Sequence, residues 1–396
     1  GRPIHTTTLL DDGRIVVIGG YNGASLNDAF YINPGTDTAT CSAVTATMAT
    51  PRSQHTATPL GNGKVLVTGG WVNGTTGPTS SAELFDPATN SFAPVDNAMS
   101  EPRNTHTATL LADGRVLVAA GFGQGINASA DLYNSASNSF SATGPMAQAR
   151  AAHRALLLQD GRVMLTGGNS GGTGNALAST EMYDPATGQF SAGPVMNAAR
   201  QWHAMAMLPD GSGRVLLAGG NNDANPHWNN QVNYLNSAEI YDPAIGQISA
   251  APSMSTYRSM AGAASLSTGE VVLVGGYLGA ANGFPGSEYY GADQTDTDKD
   301  GIGDACDVSG SPVITVADIT LPETELGGTA VTDVGVQAWL ASATAVDAED
   351  GPLPVSNDLV LTVLPLGSTT VTFSAIDSDE NTTVVSAVIT IVQSST

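Results

Sequence analysis

The chain contains a unit of about 50 residues that recurs six times before residue 292. Each copy begins with Arg-x-x-His, continues through two short apolar segments separated by a tight turn, and reaches a Gly-Gly or Ala-Gly pair. The Arg and His positions are Arg2/His5, Arg52/His55, Arg103/His106, Arg150/His153 and Arg200/His203, while the sixth copy has Arg258 with Ala261 at the His position. A fixed period of this length predicts a stacked or radial architecture, because one copy alone cannot bury its own apolar face.

The second copy shows a complete unit of four predicted strands, at residues 55–60, 64–70, 81–85 and 91–94. Its first turn is Gly61-Asn62-Gly63, and other copies have Asp-Gly at the same place. Such turns favour β-hairpins, because these residues accept the positive φ that a short twisted turn requires. Four antiparallel strands per copy, without helical periodicity, indicate a blade of a β-propeller.

The repeats resemble the kelch repeat as it occurs in galactose-oxidase-like propellers. The resemblance rests on Arg-x-x-His-Thr-Ala-Thr-Leu-Leu-x-Asp-Gly-Arg-Val-Leu-Val and on the later Ser-Ala-Glu-(apolar)-(aromatic)-Asp-Pro-Ala. It covers residues 1–291 and implies an all-β fold with a six-bladed kelch β-propeller. The sixth copy runs from Tyr290 directly into an acidic segment, so we expect its blade to lack a normal outer strand.

One face of the predicted propeller concentrates aromatic residues. In an up-and-down blade, the Arg-x-x-His segments and the loops after Gly-Gly lie on the same face, opposite the Asp-Gly and Asp-Pro turns. The candidate ligand-binding residues on this loop face are Tyr21, Trp71, Phe122, His227, Trp228 and Tyr277. Loops on a rigid scaffold commonly carry binding functions. The alternative is that these aromatic side chains only pack between blades.

The recurring histidines allow a metal-ring interpretation and a structural one. Because the Arg and His residues recur with the repeat, we predict that they hydrogen-bond the backbone of the neighbouring blade. The resemblance to galactose-oxidase-like proteins also raises a copper-radical oxidase, with Tyr and His ligands and a Cys cross-linked to one Tyr. Only His227 remains outside the repeat positions, and Cys41 follows the third strand toward the outer edge. We therefore predict no catalytic residues.

Residues 292–310 form an acidic linker with the spacing of a calcium-binding loop. Carboxylates stand at positions 1, 3, 5, 9 and 12, a glycine at position 6, and Ile302 would offer its carbonyl at position 7. The predicted Ca²⁺ ligands are Asp296, Asp298, Asp300, Ile302, Asp304 and Asp307. The alternative is a disordered acidic linker without a metal.

The same segment resembles one thrombospondin type 3 repeat, a family in which the Cys usually pairs with an upstream Cys of the same array. That upstream half is missing, and only Cys41 remains as a partner for Cys306 in this chain. In a closed ring the first blade would neighbour the sixth, so we predict a Cys41–Cys306 disulfide, with two free thiols as the alternative.

Residues 311–396 predict a small β-sandwich, with β-rich segments at 313–316, 359–363, 369–375 and 384–392. The segment 364–377, Leu-Pro-Leu-Gly-Ser-Thr-Thr-Val-Thr-Phe-Ser-Ala-Ile-Asp, resembles the hyalin repeat, an immunoglobulin-like module. Such modules typically serve as extracellular spacers or adhesion units.

The charge of the chain limits its partners. The formal net charge is −23, and residues 293–396 carry 17 acidic residues and one basic residue, Lys299. This acidity argues against nucleic acid and against docking on anionic lipid, because both need a basic surface. We expect a secreted or cell-surface protein that binds a glycan or a surface protein. Self-assembly into an extracellular layer or filament is the alternative.

Overall fold

The computed structural model divides the chain into two compact units, Gly1–Ala292 and Asp293–Thr396. Each unit is described by itself. The residues that the structure describes are 2–34, 40–73, 77–171, 176–222, 234–277, 286–291, 312–347, 351–376 and 382–394.

Six antiparallel sheets follow one another in the described part of the first unit, one for each repeat. Sheet 1 contains β1 (Thr6–Leu9), β2 (Ile15–Ile18), β3 (Ala29–Asn33) and β4 (Thr40–Ala43). Sheet 2 contains β5 (Thr56–Pro59), β6 (Val65–Thr68), β9 (Ala82–Asp86) and β10 (Ser91–Pro94), with a two-stranded ribbon of β7 (Trp71–Val72) and β8 (Gly77–Pro78) in its loop. Sheet 3 contains β11 (Thr107–Leu110), β12 (Val116–Ala119), β13 (Ala130–Asn134) and β14 (Ser139–Ala142).

Sheets 4 to 6 continue the pattern. Sheet 4 contains β15 (Arg154–Leu157), β16 (Val163–Thr166), β17 (Thr180–Asp184) and β18 (Gln189–Ala192). Sheet 5 contains β19 (Ala204–Met207), β20 (Val215–Ala218), β21 (Ala238–Asp242) and β22 (Gln247–Ala251). Sheet 6 contains β23 (Gly262–Ser265), β24 (Glu270–Val274) and β25 (Ser287–Gly291) among the described residues. Residues 292–311 lie outside those residues, so the expected lack of an outer strand stays a prediction.

In each of sheets 2 to 5 the second strand is buried along its whole length, with all four of its residues almost inaccessible to solvent. The reason is that a sheet packs on each of its faces: Val65, Val67 and Phe85 of sheet 2, for example, pack against Val16 and Ile18 of sheet 1. This two-sided burial explains why these strands are continuous apolar segments rather than alternating ones.

The repeat arginines stabilise their own sheets. The Arg52 guanidinium donates to the carbonyl oxygens of Gly69 (2.8 Å) and Ser81 (3.0 Å) and to the Glu83 carboxylate (2.9 Å), and Arg52 is fully buried. The equivalent buried ion pairs are Arg103–Asp131, Arg150–Glu181, Arg200–Glu239 and Arg258–Glu288. The prediction that these side chains bind the neighbouring blade's backbone is wrong, because a buried guanidinium needs a carboxylate, and the strand beside it in the same sheet supplies one.

The second unit contains three small sheets and one helix among its described residues. The first sheet has β26 (Val313–Thr315), β29 (Thr344–Asp347) and β30 (Gly351–Leu353). The second has β27 (Ile319–Pro322), β31 (Ser356–Asn357), β33 (Gly367–Ile376) and β34 (Thr382–Val392). The third has β28 (Gly328–Ala330) and β32 (Val363–Pro365), and the helix is α1 (Val334–Leu340).

One apolar core joins these elements. Val371 and Phe373 of β33 face it together with Ile389 of β34, and the Trp339 ring of α1 contacts the Phe373 ring edge-on at 5.5 Å. The helix and the parallel pairing of β27 with β34 were not predicted. The predicted strand at 359–363 is wrong, since β32 begins only at Val363. The immunoglobulin-like sandwich stays a prediction. No helix in the described residues is long and apolar enough to cross a membrane.

Candidate functional site

Six residues with left-handed backbone form an arc across the sheets of the first unit. Each stands two positions after its repeat arginine, and their φ angles lie between 50° and 60°. They are Ile4, Gln54, Thr105, Ala152, Trp202 and Met260. From Gln54 onward, the N–H of each residue donates to the carbonyl of the residue before it in this series, from Gln54 to Ile4 (3.1 Å) through to Met260 to Trp202 (2.8 Å). Left-handed conformations are uncommon outside glycine and cluster at functional positions.

The loops after Gly-Gly are fastened beside this arc by backbone bridges. The residue directly after each arginine pairs with the residue directly after the Gly-Gly or Ala-Gly pair. The bridges are Ser53–Trp71, Asn104–Phe122, Ala151–Asn169, Gln201–Asn221 and Ser259–Tyr277. The Arg-x-x-His segments and the loops therefore share one face, as the sequence predicts.

A cavity of about 580 Å³ opens on this face. Its lining combines two kinds of side chain: exposed aromatic rings from sheets 1 to 3, and amide groups distributed over sheets 2 to 5. Its aromatic and amide lining residues include Tyr21, Gln54, Trp71, Asn104, Phe122, Asn169, Gln201 and Trp202. We call this space the mouth cavity.

Asn104 carries an acceptor without a partner at the cavity wall. Its Nδ2 donates to Gln54 Oε1 at 2.7 Å, while its Oδ1 is buried and has no hydrogen-bond partner among the described residues. The side chain is 5 % exposed. An unsatisfied buried polar atom costs about 1–3 kcal/mol, and because this oxygen has almost no exposed surface, a ligand would reach it only after the Asn104 side chain moves.

The amide groups of sheet 5 are already ordered by hydrogen bonds. Gln201 Nε2 donates to Asn221 Oδ1 at 2.9 Å, and Asn221 Nδ2 donates to Ser259 Oγ at 3.2 Å. Gln201 and Asn221 are both buried. Their orientation is therefore set before any ligand arrives, which reduces the entropy cost of binding.

The described lining of the mouth cavity carries no formal charge. None of the described lining residues is Asp, Glu, Lys, Arg, His or Cys, although the chain as a whole carries a net charge of −23. The lining can stack against flat apolar surfaces and exchange hydrogen bonds with neutral polar groups. It offers no carboxylate, imidazole or thiol for acid–base or nucleophilic chemistry among those residues.

The predicted binding residues divide into three groups. Tyr21, Trp71 and Phe122 line the mouth cavity. Tyr277 contacts the ring of Tyr234, with 6.2 Å between ring centroids, and is not among the lining residues. His227 and Trp228 lie outside the described residues. Sequence reasoning missed Gln54, Asn104, Gln201 and Trp202, whose signal is their place at the two variable positions between the repeat Arg and His.

The described repeat histidines that face a preceding sheet are buried and neutral. Burial, and then the nearby Arg52, lowers the pKa of His55 to about 3. Burial likewise holds the pKa values of His106, His153 and His203 well below 6.5. Their Nε2 atoms contact threonine hydroxyls of the preceding sheet rather than its backbone. These four histidines thus link neighbouring sheets through their Nε2 atoms, and the described residues contain no cluster of His, Cys, Asp or Glu side chains that could hold a metal.

The predicted calcium ligands and one cysteine lie outside the described residues. This applies to Asp296, Asp298, Asp300, Ile302, Asp304, Asp307 and Cys306. Cys41, in β4, is exposed and free, so the disulfide with Cys306 stays a prediction. Among the described residues, no three His, Cys, Asp or Glu side chains are grouped in a way that could hold a metal ion.

Comparison with known proteins supports the kelch fold. Residues 1–168 match a family model, the KLHDC2/KLHL20/DRC7 Kelch-repeats domain. The chain is similar to the solved structure of YjhT, with a TM-score of 0.59 and 13 % sequence identity over 75 % of this chain and 96 % of that chain. That identity is evidence for the fold alone. In total 472 solved chains match, so the fold does not select a ligand. No curated protein matches the sequence.

Proposed function

We propose that this protein is a non-enzymatic binding protein, secreted or displayed at a cell surface, that holds a neutral glycan in the mouth cavity. The observation that carries the proposal is the uncharged described lining, in which exposed aromatic rings stand beside amide groups. Aromatic rings pack against the apolar faces of sugar rings, while Asn and Gln both donate to and accept from hydroxyl groups.

A protein partner is the broader form of the same proposal, because kelch-repeat propellers are a protein-binding fold. The size of the cavity favours the glycan. About 580 Å³ falls in the range of pockets that enclose small ligands. A stable protein interface instead covers about 800 Å² on each partner and needs a broad surface.

The chemistry of the described lining supports binding rather than catalysis. Its hydroxyl groups come from Tyr21, Ser53 and Thr105, and none of the lining residues is a histidine or carboxylate that could activate them. A copper-radical oxidase would need Tyr, His and Cys to converge, and the described lining contains neither His nor Cys. The acidic linker, residues 292–310, is proposed to bind Ca²⁺, with the second unit acting as a spacer.

A neutral-glycan array tests the proposal with three proteins: wild type, Phe122→Ala and Tyr257→Ala. Tyr257 is the matched control, because it is an exposed aromatic residue outside the cavity lining. Wild type and Tyr257→Ala should bind the same glycans, and Phe122→Ala should lose most of the signal. Binding should persist with a chelator, since the described lining contains no carboxylate, imidazole or thiol. Absence of any bound glycan, or equal binding by all three proteins, would reject the glycan assignment.

A further inference from the structure

The face of sheet 6 that points away from sheet 5 is uncovered. Val274, at the end of β24, is 52 % exposed. The residues at the same position in the other five sheets are at most 1 % exposed, namely Ile18, Thr68, Ala119, Thr166 and Ala218. Tyr289 of β25 is 39 % exposed, whereas its equivalents Tyr31, Leu132 and Met182 are buried and Leu84 and Ile240 are partly buried. The apolar face that the following sheet covers in sheets 1 to 5 is therefore exposed in sheet 6.

The facing side of sheet 1 is partly uncovered as well, although Val17 on that side is buried. Ile15 and Ile32 are partly exposed, while Val65 and Phe85 at the same positions of sheet 2 are fully buried. His5 is exposed, although the other four repeat histidines are buried. Sheets 1 and 6 thus do not bury each other.

The backbone hydrogen bonds that join successive sheets are also missing, within the described part of the chain, at the uncovered faces of sheets 6 and 1. Gly20, Gly70, Gly121, Gly168 and Gly220 each donate to the carbonyl of the next repeat arginine. Among the described residues, Gly276 N–H has no such acceptor, and no hydrogen bond joins Ile4 N–H to the Met260 carbonyl. The Arg2 carbonyl is instead hydrogen bonded to Nδ1 of its own His5 at 2.6 Å.

The histidine contacts show which kind of sheet fits against sheet 1. Every sheet that precedes a repeat histidine carries a threonine at the start of its first strand or the end of its second. Sheet 5 has Ala204 and Ala218 at these positions, and sheet 6 accordingly has Ala261 instead of a histidine. Sheet 6 offers only Gly262 and Val274, so it has no hydroxyl for His5. A second copy of the chain, docked through its own sheet 6, would bring the same mismatch.

We propose that a seventh repeat unit, one four-stranded sheet supplied by polypeptide outside residues 1–396, packs between sheets 6 and 1. Its required chemistry follows from the five complete interfaces. It carries a threonine that faces His5, a glycine N–H that donates to the Arg2 carbonyl, and an arginine whose carbonyl accepts from Gly276. Its apolar faces cover Val274 and Tyr289 on one side and Ile15 and Ile32 on the other.

Cross-linking tests whether sheets 1 and 6 are separated, in a background with Cys41→Ser and Cys306→Ser. Thr6→Cys with Gly262→Cys spans the proposed gap, and Thr6→Cys with Thr56→Cys spans the complete interface between sheets 1 and 2. A short bismaleimide should link the interior pair and leave the terminal pair unlinked. Equal linking of both pairs within the monomer would show that sheets 6 and 1 pack directly, and linking of the terminal pair between two molecules would show head-to-tail association. Either result overturns the proposal.

Fusion of a copied repeat tests whether a repeat unit fills the space between sheets 6 and 1. Residues 49–101 placed ahead of Gly1 supply sheet 2 again, with Thr56 and Thr68, and put Arg2 where Arg103 normally follows. The melting temperature should rise by about 5 °C or more, and hydrogen exchange should slow in Thr6–Leu9 and Gly262–Ser265. The same insert with both threonines changed to valine should give a smaller rise. Unchanged melting and unchanged exchange in both strands would overturn the proposal.

Discussion

His106 Nε2 lies 3.0 Å from the Thr68 hydroxyl of the preceding sheet, and the Thr56 hydroxyl lies at the same distance. The relationship recurs with different threonines wherever a described sheet precedes a histidine, and it is absent where sheet 5 carries alanines and Ala261 follows. The Arg-x-x-His segment is thus a connector: its arginine side chain binds its own sheet and its histidine binds the sheet before.

A double-mutant cycle on Thr107 and His153 measures one connector. The hydroxyl of Thr107 contacts His153 Nε2 at 2.9 Å. We expect Thr107→Ala and His153→Ala to show a coupling of about 1 kcal/mol in the free energy of unfolding. Thr107→Ala combined with His203→Ala, which do not contact each other, should be additive. Additivity in both cycles would contradict the connector role.

The buried histidines predict loss of stability in mild acid. The unfolded chain binds protons at these residues below about pH 6.5, whereas the folded chain resists protonation, down to about pH 3 at His55. The stability is therefore complete above pH 6.5 and falls as the pH decreases, by about 1.4 kcal/mol per pH unit for each histidine. Urea unfolding between pH 7.5 and 5 measures the slope. His106→Ala should make the slope of stability against pH shallower by about 1.4 kcal/mol per pH unit. An unchanged slope would refute the conclusion that His106 is buried and neutral.

The buried ion pairs predict a large difference between two conservative changes. Glu181→Gln leaves Arg150 buried without a counter-charge, so it should cost about 3–5 kcal/mol. Asp160→Asn removes the partner of Arg162 at an exposed turn and should cost about 1 kcal/mol or less. Chemical denaturation of both variants provides the comparison. Similar losses for the two would mean that burial does not set the cost.

The acidic linker predicts saturable calcium uptake. Calorimetric titration of chelator-treated protein should detect binding, and Asp298→Ala with Asp300→Ala should weaken it, because each removes a carboxylate from a hard-oxygen site. Asp318→Asn is a control acidic residue outside the linker. No heat of binding at millimolar Ca²⁺ would end the calcium proposal.

Much of the fold could be predicted from the sequence, because the same pattern of apolar strands and tight turns recurs six times. The four strands predicted in the second copy match β5, β6, β9 and β10 closely, since Asn-Gly and Asp-Pro turns fix where each hairpin bends. In the second unit, α1 is not part of a recurring sequence unit, so comparison between copies could not predict it. Its Trp339 is buried by long-range contact with Phe373, which local sequence does not show.

The site was predicted only in part, for a related reason. Tyr21, Trp71 and Phe122 follow the glycine pairs and could be aligned by the repeat. Trp202 and Asn104 stand at variable positions, where sequence comparison between copies shows no recurring residue. Their convergence depends on the left-handed backbone at the second of these positions, which few side chains favour and which the structure reveals.

Substitution of Trp71, an exposed aromatic residue of the cavity lining, tests whether the mouth cavity binds the ligand. Isothermal titration of the tightest glycan found on the array would compare wild type, Trp71→Ala and Tyr257→Ala, with the melting temperature of each measured alongside. We expect Trp71→Ala to weaken binding at least about tenfold, as loss of a stacking aromatic anchor does, while its melting temperature and the affinity of Tyr257→Ala stay close to wild type. Unchanged affinity of Trp71→Ala, with a lowered melting temperature, would contradict the claim and show that the aromatic side chain only packs between sheets.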